Sequence, residues 1–329
     1  MNNLSIIVPN WNGERQLRKN LPLLFSVLAK FNGESEIIII DDRSEDGSRE
    51  YLKELKKERN LVSFGGRNLS RQGRDEIRIS RSKFPNFKVI FNNENLGFGG
   101  SVNKGVKAAR YDIVFLLNTD VEVKRGCFEH LLPHFEKKDI FAVGANADWL
   151  VGWGQFINGY LDISSPKKIK KTCQEAQPSF WVSGGHSAFR KSLWKKLGGL
   201  DPLYAPFYFE ETDLCYRAWK RGWRVLWEPK APVLHKHEES VIRQNFSPRY
   251  ISSIAQRNQL IFIWKNITDK NMFAEHKKAL IKRLAKKPSY FKVFLAAAKK
   301  WPEIRKKRMI EKKEAILTDK EIFDKFKMR

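Results

Sequence analysis

Ile113-Val114-Phe115-Leu116-Leu117-Asn118-Thr119-Asp120-Val121-Glu122 decides how this chain folds. The apolar residues run without a break and stop at a polar step. An apolar run with no alternation is the pattern of a strand buried on both faces, as at the centre of a parallel sheet. In open α/β sheets the ligand crevice lies beyond the carboxyl ends of such strands. Asn118 and Asp120 stand at that end, two apart. Their oxygens suit one hard divalent cation beside a phosphate. The same residues equally suit an Asx-turn that merely ends the strand.

Toward the N-terminus the pattern repeats. Leu4-Ser5-Ile6-Ile7-Val8-Pro9 is a short strand, and Asn10-Trp11-Asn12-Gly13 is the loop at its carboxyl end. Leu17, Leu21, Leu24, Phe25 and Leu28 follow at helical spacing, with Pro22 inside the pattern. Glu36 to Ile40 is a second buried strand closing in Asp41-Asp42. Ser44 or Asp46 then caps a helix through Leu55. Strand, helix, strand, helix at this pace gives right-handed βαβ units and a parallel sheet. Residues 60–87 break the rhythm with glycines and scattered Arg, Ser and Asn, the composition of an insertion. Phe87 to Phe91 resumes as a strand. Asn95-Leu96-Gly97-Phe98-Gly99-Gly100-Ser101 leads into a helix carrying Val102, Val106 and Ala109.

Toward the C-terminus a helix through Leu131 and Leu132 follows the central strand, and the pattern is irregular from Ile140 to about Pro178. Phe180 to Arg190 reads as one strand with a glycine break. Phe207 to Asp213 opens a helix through Trp219, Arg224 to Trp227 is a strand, and Val233-Leu234-His235 ends the core. Tyr250 to Trp264 is helical. Beyond about Lys265, dense Lys and Arg alternate with Leu280, Ile281, Leu284, Phe291, Phe294 and Leu295, a basic amphipathic helical tail.

Composition bounds the partners. The chain has 329 residues and 62 Lys+Arg against 37 Asp+Glu, a formal charge of +25. That excess implies a polyanionic neighbour: nucleic acid, an anionic membrane surface or a phosphorylated substrate. Aromatics at Trp149, Trp153, Phe156 and Tyr160 suit nucleic acid or, better, a core or the walls of an acceptor site. Cys127, Cys173 and Cys215 lie far apart with no C-x-x-C spacing, which argues against a disulfide framework or structural zinc and suits a reducing compartment. With no leader-like N-terminus and no apolar run near 18 residues, a cytoplasmic chain is expected.

Three carboxylate clusters fall at strand ends or helix starts: Asp41-Asp42, Asp120, and Glu210-Glu211 with Asp213. Each has a structural reading as a cap or as a partner for a helix dipole. A parallel sheet brings such ends to one rim, where together they suit catalysis. Gly97-Phe98-Gly99-Gly100 before a helix resembles a phosphate cradle. The first strand turn, Pro9 to Gly13, lacks the dinucleotide G-x-G-x-x-G. His235 and His237 after a strand are structural histidines or metal ligands.

Taken in order, Val8-Pro9-Asn10-Trp11-Asn12, Ile40 to Ser48, Asn95 to Gly100, Leu117 to Val121 and Phe209 to Arg217 resemble the family 2 glycosyltransferases, in particular the bacterial rhamnosyltransferase-like branch, over about residues 4–240. The resemblance implies the GT-A fold: a Rossmann-like, mostly parallel central sheet flanked by helices. A nucleotide-binding half (1–122) would continue into an acceptor half (123–265), with a basic extension over 266–329. It implies inverting transfer from a UDP- or dTDP-sugar, dTDP-rhamnose first among them, to a hydroxyl of a glycan or lipid-linked acceptor in cell-surface polysaccharide synthesis.

The resemblance also implies roles. Trp11 stacks on the base, Pro9 and Asn10 line it through backbone atoms, and Asp42 accepts from the pyrimidine N–H. Asn95, Gly97 and Asn103 lie along ribose and diphosphate. Asp120, Asn118 and His235 hold Mg²⁺ or Mn²⁺, with Asn118 replacing the first acid of a D-x-D-like step. Glu211 is the catalytic base and Glu210 orients it or raises its pKa; the family's usual pair is Glu-Asp, which leaves the base assignment open between the two. Trp181, Gly184, Gly185, His186 and Asp213 bind the acceptor. Apart from the resemblance, the charge beside Phe and Leu over roughly residues 270–310 suits an anionic membrane, so attachment at the inner face of the cell membrane is expected. The other readings are an inactive family member, a nucleotidyltransferase (whose Gly-rich, basic first loop Pro9 to Gly13 lacks) and a nucleic-acid-binding protein.

Overall fold

The computed structural model describes residues 3–60, 86–163, 167–168, 170, 172–235 and 241–327. Its first half is the expected βαβ series: β1 (Leu4–Asn10), α1 (Glu14–Leu28), β2 (Ser35–Asp41), α2 (Ser48–Asn60), β3 (Asn86–Phe91), α3 (Gly97–Ala108) and β4 (Ile113–Leu117). β3, β2, β1 and β4 lie side by side and parallel. The strand period of two explains the two-sided core. Ile37 and Ile39 of β2 pack with Leu17, Leu21 and Phe25 of α1, while Ile38 and Ile40 pack with Val102 and Val106 of α3. Helix α3 comes so close that a Cβ on Gly105 would lie 2.5 Å from methyl groups of both Ile7 and Ile40. The cap is less local than expected. Asp46 accepts from Ser48 N with one oxygen and from Glu14 N, at the start of α1, with the other.

The second half contains β5 (Val121–Val123), α4 (Cys127–Leu131), β6 (Ile140–Asn146), β7 (Leu150–Val151), β8 (Gln155–Ile157), β9 (Tyr160–Asp162), β10 (Lys167–Lys168) and β11 (Gln177–Pro178). β12 (His186–Arg190), α5 (Lys191–Leu197), α6 (Glu210–Lys220) and β13 (Arg224–His235) complete it. β12 runs antiparallel between β4 and β6, so the sheet is mixed but mostly parallel, in the order β11-β13-β6-β12-β4-β1-β2-β3. β5 adds to the far part of β13.

Three expectations are corrected. The central strand ends at Leu117, not Asp120, because Asn118 N turns to donate to Gly185 O at 2.9 Å. The strand expected over Phe180–Arg190 is only His186–Arg190: Gly185 N donates to Ser183 Oγ, so this stretch spends its hydrogen bonds on a loop. The segment 266–329 is not a tail apart. After α7 (Val241–Asn245) and α8 (Pro248–Asn266) come α9 (Lys270–Lys286), α10 (Phe291–Ala298), α11 (Trp301–Glu314) and α12 (Asp319–Asp324). They pack back onto the second half: Phe323 and Phe326 lie 5.7 and 5.3 Å from Phe180, ring to ring. Lys220 pairs with Asp319 at 3.0 Å with both side chains buried, and Lys307 reaches Asp201. A lysine-dense sequence hid a buried stripe of Ile304, Ile322, Phe323 and Phe326. The expected insertion over 60–87 falls almost wholly outside the described residues, which also exclude His237. Among the described residues, no helix is long and apolar enough to cross a membrane.

Candidate active site

Two cavities open at the carboxyl ends of the parallel strands and share a wall. The smaller, about 360 Å³, is bordered by Pro9, Asn10 and Trp11 after β1, Asp42 after β2, and Asn95 and Gly97 before α3. The larger, about 870 Å³, is bordered by Glu210 and Glu211 at the start of α6, by Trp181, Gly184 and Gly185, and by His235. Asn118 and Asp120 border both. The polar step at the end of β4 therefore stands where two bound molecules would meet.

Each side chain has a local cause. Trp11 projects from the loop after β1, with Phe246 across from it: ring centroids 6.1 Å apart and 28° between planes. Of the two acids at the end of β2, Asp41 is spent on the fold, accepting from Asn10 Nδ2 and Ser44 N. Asp42 reaches the cavity; its Oδ1 accepts from Asn92 Nδ2 and Leu96 N, both at 2.8 Å. Asn95 Oδ1 accepts from Gly97 N and shapes the turn into α3.

Asp120 is buried, and its Oδ1 has no hydrogen-bond partner. Its Oδ2 lies 3.5 Å from His235 Nε2, brought there by the pairing of β13 with β5. A carboxylate oxygen left bare by the protein, an imidazole and the Asn118 amide form a donor set that fits one divalent cation. Among the described residues no group of three or more His, Cys, Asp or Glu could hold an ion. The protein would thus supply part of a shell, leaving places for diphosphate oxygens and water.

The carboxylate pair sits at a strained entrance. Tyr208 and Phe209 take φ of 73° and 78°, the left-handed region that side chains other than glycine's rarely adopt. Asn258 of α8, fully buried, holds that bend: its Nδ2 donates to the carbonyls of Tyr204, Phe207 and Tyr208 at 2.7–3.0 Å. Glu210 is 2% exposed and its Oε1 has no partner. Burial, and then the neighbouring Glu211, push its pKa well above the usual carboxylate range. Burial also raises Glu211, opposed by backbone N–H groups of Glu211 itself and Gly184. The like-charge effect expected on Glu211 thus falls on Glu210.

Two residues expected at the site are used elsewhere, and a third sits behind His235. Asp213, in the first turn of α6, is fully buried and bonded to Arg217, Lys265, Asn266 and Tyr204. Burial alone would raise its pKa, but Arg217 and Lys265 outweigh that and hold it low. Asn103 clamps the backbone of Leu200, donating to its carbonyl and accepting from its N–H, and borders neither cavity. His186 does not border the acceptor-side cavity. Its ring lies 5.7 Å from that of His235, and burial followed by His235 pushes its pKa down to about 4.

A family model described as Glycosyl transferase family 2 matches residues 5–198. The chain belongs to that family. Among curated relatives, the pre-mycofactocin glycosyltransferase of Mycobacterium tuberculosis is 29% identical over 153 residues, 46% of this chain and 32% of that protein. An uncharacterized glycosyltransferase of Nostoc sp. is 28% identical over 61% of this chain and 54% of its own length. The N-acetylglucosaminyl-diphospho-decaprenol L-rhamnosyltransferase of M. tuberculosis is 25% identical over 54% of this chain and 66% of its own length. The chain therefore spans between about a third and two thirds of these relatives. GalNAc-T7, solved with UDP, GalNAc and Mn²⁺, superposes with a TM-score of 0.64 at 17% identity, over 98% of this chain and 57% of that one. TarS 1–349 of S. aureus with UDP-GlcNAc gives 0.55 at 15% identity, over 94% and 90%. These likenesses establish the GT-A fold.

Several bordering residues carried no signal in the family 2 sequence pattern. Ile242 of α7 and Phe246 close the smaller cavity, while Gln256 and Gln259 wall the larger beside Tyr160, whose place as a core or acceptor-site wall was expected. Gln155–Ile157 and Tyr160–Asp162 pair as the β8–β9 hairpin inside the stretch whose sequence pattern is irregular. Nothing local announced Asn258.

Proposed function

We propose that this family 2 protein is an inverting, metal-dependent glycosyltransferase moving a sugar from a UDP- or dTDP-sugar to a hydroxyl of a glycan or lipid-linked acceptor. The observation that carries the reading is the wall shared by the two cavities, made by Asn118 and Asp120, with Glu211 bordering the larger. Under it, residues 1–122 form the nucleotide half and 123–265 the acceptor half. Trp11 stacks on the base and Asp42 accepts from the pyrimidine N–H. Pro9 and Asn10 line the base, and Asn95 and Gly97 the ribose and diphosphate. Trp181, Gly184 and Gly185 receive the acceptor.

Asp120, Asn118 and His235 hold Mg²⁺ or Mn²⁺, which when bound offsets the charge gathering on the departing nucleoside diphosphate. Glu211 takes the proton of the acceptor hydroxyl. The freed oxygen bonds to the anomeric carbon on the face opposite the leaving group. The carbon–oxygen bond to the diphosphate breaks, and its electron pair leaves with the nucleoside diphosphate. Burial and the neighbouring Glu211 both raise the pKa of Glu210, which favours one negative charge over two on the pair.

The name of the M. tuberculosis rhamnosyltransferase, with its lipid-diphosphate sugar, supports a lipid-linked acceptor here and makes dTDP-rhamnose the first donor to try. Relatives named poly-beta-1,6-N-acetyl-D-glucosamine synthase, from Staphylococcus aureus, support a role in surface polysaccharide. Such an acceptor puts the reaction at the inner face of the cell membrane.

The test is transfer of labelled sugar from UDP- and dTDP-sugars to a bacterial lipid extract. At least one donor should release nucleoside diphosphate and label the lipid, with Glu211→Gln slower by about 10²–10⁴-fold. No transfer from any donor, with no nucleotide bound, contradicts the reading.

A further inference from the structure

The surface around α10 has no use in the chemistry above. Phe291 is 50% exposed and Leu295 43%, one helical turn apart. At 100° per residue Lys292 and Lys299 share that face with them, and both are exposed. Between Glu275 and Glu303 the chain carries eight lysines and one arginine and no carboxylate. An apolar strip in a stretch of chain that carries cations and no acid is complementary to an anionic bilayer, where the rings enter the acyl boundary and the ammonium groups stay at the phosphates.

This surface joins the larger cavity through one residue. Arg283 of α9 donates to Gln256 and lies 5.0 Å over the Tyr160 ring, and both of those residues border the cavity. The same guanidinium lies 4.2 Å over Tyr290, the residue that leads into α10. A docked α10 would therefore hold the cavity's Tyr160–Gln256 rim near the lipid phosphates.

We propose that the exposed face of α10 docks on an anionic membrane and turns the larger cavity toward acceptors carried in that membrane. What it delivers to the cavity rests on the glycosyl-transfer reading, whereas the docking does not.

The experiment is flotation of the full chain with vesicles of phosphatidylcholine alone and of phosphatidylcholine with phosphatidylglycerol, without donor or acceptor. The protein should float with the anionic vesicles only, and high salt should release it. Each near-surface lysine multiplies such partitioning about fivefold, so Lys292→Gln with Lys299→Gln should weaken it about 25-fold. Phe291→Ser with Leu295→Ser should weaken it at unchanged salt dependence. Both pairs are exposed and should melt as the wild type does. A wild type that does not float, or pairs that float as well as the wild type while melting normally, overturn the proposal. A dimer broken by the Phe291–Leu295 pair, with no flotation, assigns the face to a second copy instead. Flotation without sugar transfer to any acceptor would sink the transferase reading alone; transfer to a soluble acceptor without flotation would sink the docking alone.

Discussion

The carboxylate of Glu211 occupies the space that a side chain at Gly184 would need: a Cβ built there would lie 2.1 Å from its Oε1. The helix that carries the acid and the loop beside the acceptor-side cavity are therefore fitted to one another. Gly184→Ala should leave the fold nearly intact, because the far end of a glutamate can swing away. It should cost kcat by about 10²-fold, the usual penalty for misplacing a reacting group by an ångström. Steady-state kinetics beside a melting curve check this. A variant with wild-type kcat would show that Glu211 does not act from the position seen here.

Glu210 destabilises the folded state near neutral pH. Its pKa is raised by burial and by Glu211. The sign for such an acid is that folding is favoured below the unfolded value of about 4.3 and loses that contribution as pH rises through the raised value. Glu210→Gln should therefore raise Tm, by more at pH 8 than at pH 5, while lowering activity. Thermal melts across pH read it; a Tm gain independent of pH would locate the stabilisation elsewhere.

Glu211 as base has its own pH signature. Burial raises its pKa, so kcat/KM should fall on an acid limb lying above the ordinary glutamate value of about 4.3. Glu211→Gln should abolish that limb along with most of the rate. A limb left in place in the residual activity would assign it to another group.

The buried ion network ties α6 to α8 and α11. Lys265 donates to Asp213 at 2.8 Å and to Asp201 at 2.6 Å, and Lys307 reaches Asp201 as well. Lys265→Met takes a shared buried cation from both carboxylates, leaving Arg217 with Asp213 and Lys307 with Asp201, and should cost about 3 kcal/mol in urea unfolding. Because Asp213 is held low by Arg217 and Lys265, its contribution is present above the ordinary carboxylate range and lost only at strongly acid pH. A cost below about 1 kcal/mol would show that water or rotation relieves both acids.

Much of this was legible in the sequence. The unbroken runs Ile113–Leu117 and Ile37–Ile40 gave strands buried on both faces. The positions carried over by resemblance fell largely around two touching cavities. Two exceptions are instructive. Asp213 and Asn103 hold fitting positions in the family pattern, but in this fold Lys265, Arg217 and the Leu200 backbone consume their polar atoms. A motif fixes where a residue sits in the chain, and only packing decides what its side chain meets. Phe246 and Asn258 were invisible for the converse reason, since their work is done through contacts dozens or hundreds of residues away. The C-terminal helices misled through composition: solvated lysines mask the apolar stripe that buries Phe323 and Phe326.

The central claim is that the wall between the cavities holds a metal against a nucleoside diphosphate. Calorimetry of UDP, dTDP, GDP and ADP binding, with and without Mn²⁺, on the wild type and Asp120→Ala tests it most directly. Metal-dependent binding of UDP or dTDP, weak for GDP and ADP and lost in Asp120→Ala, is the expected result. Binding that ignores both the metal and Asp120, or no binding by any of the four, would contradict it.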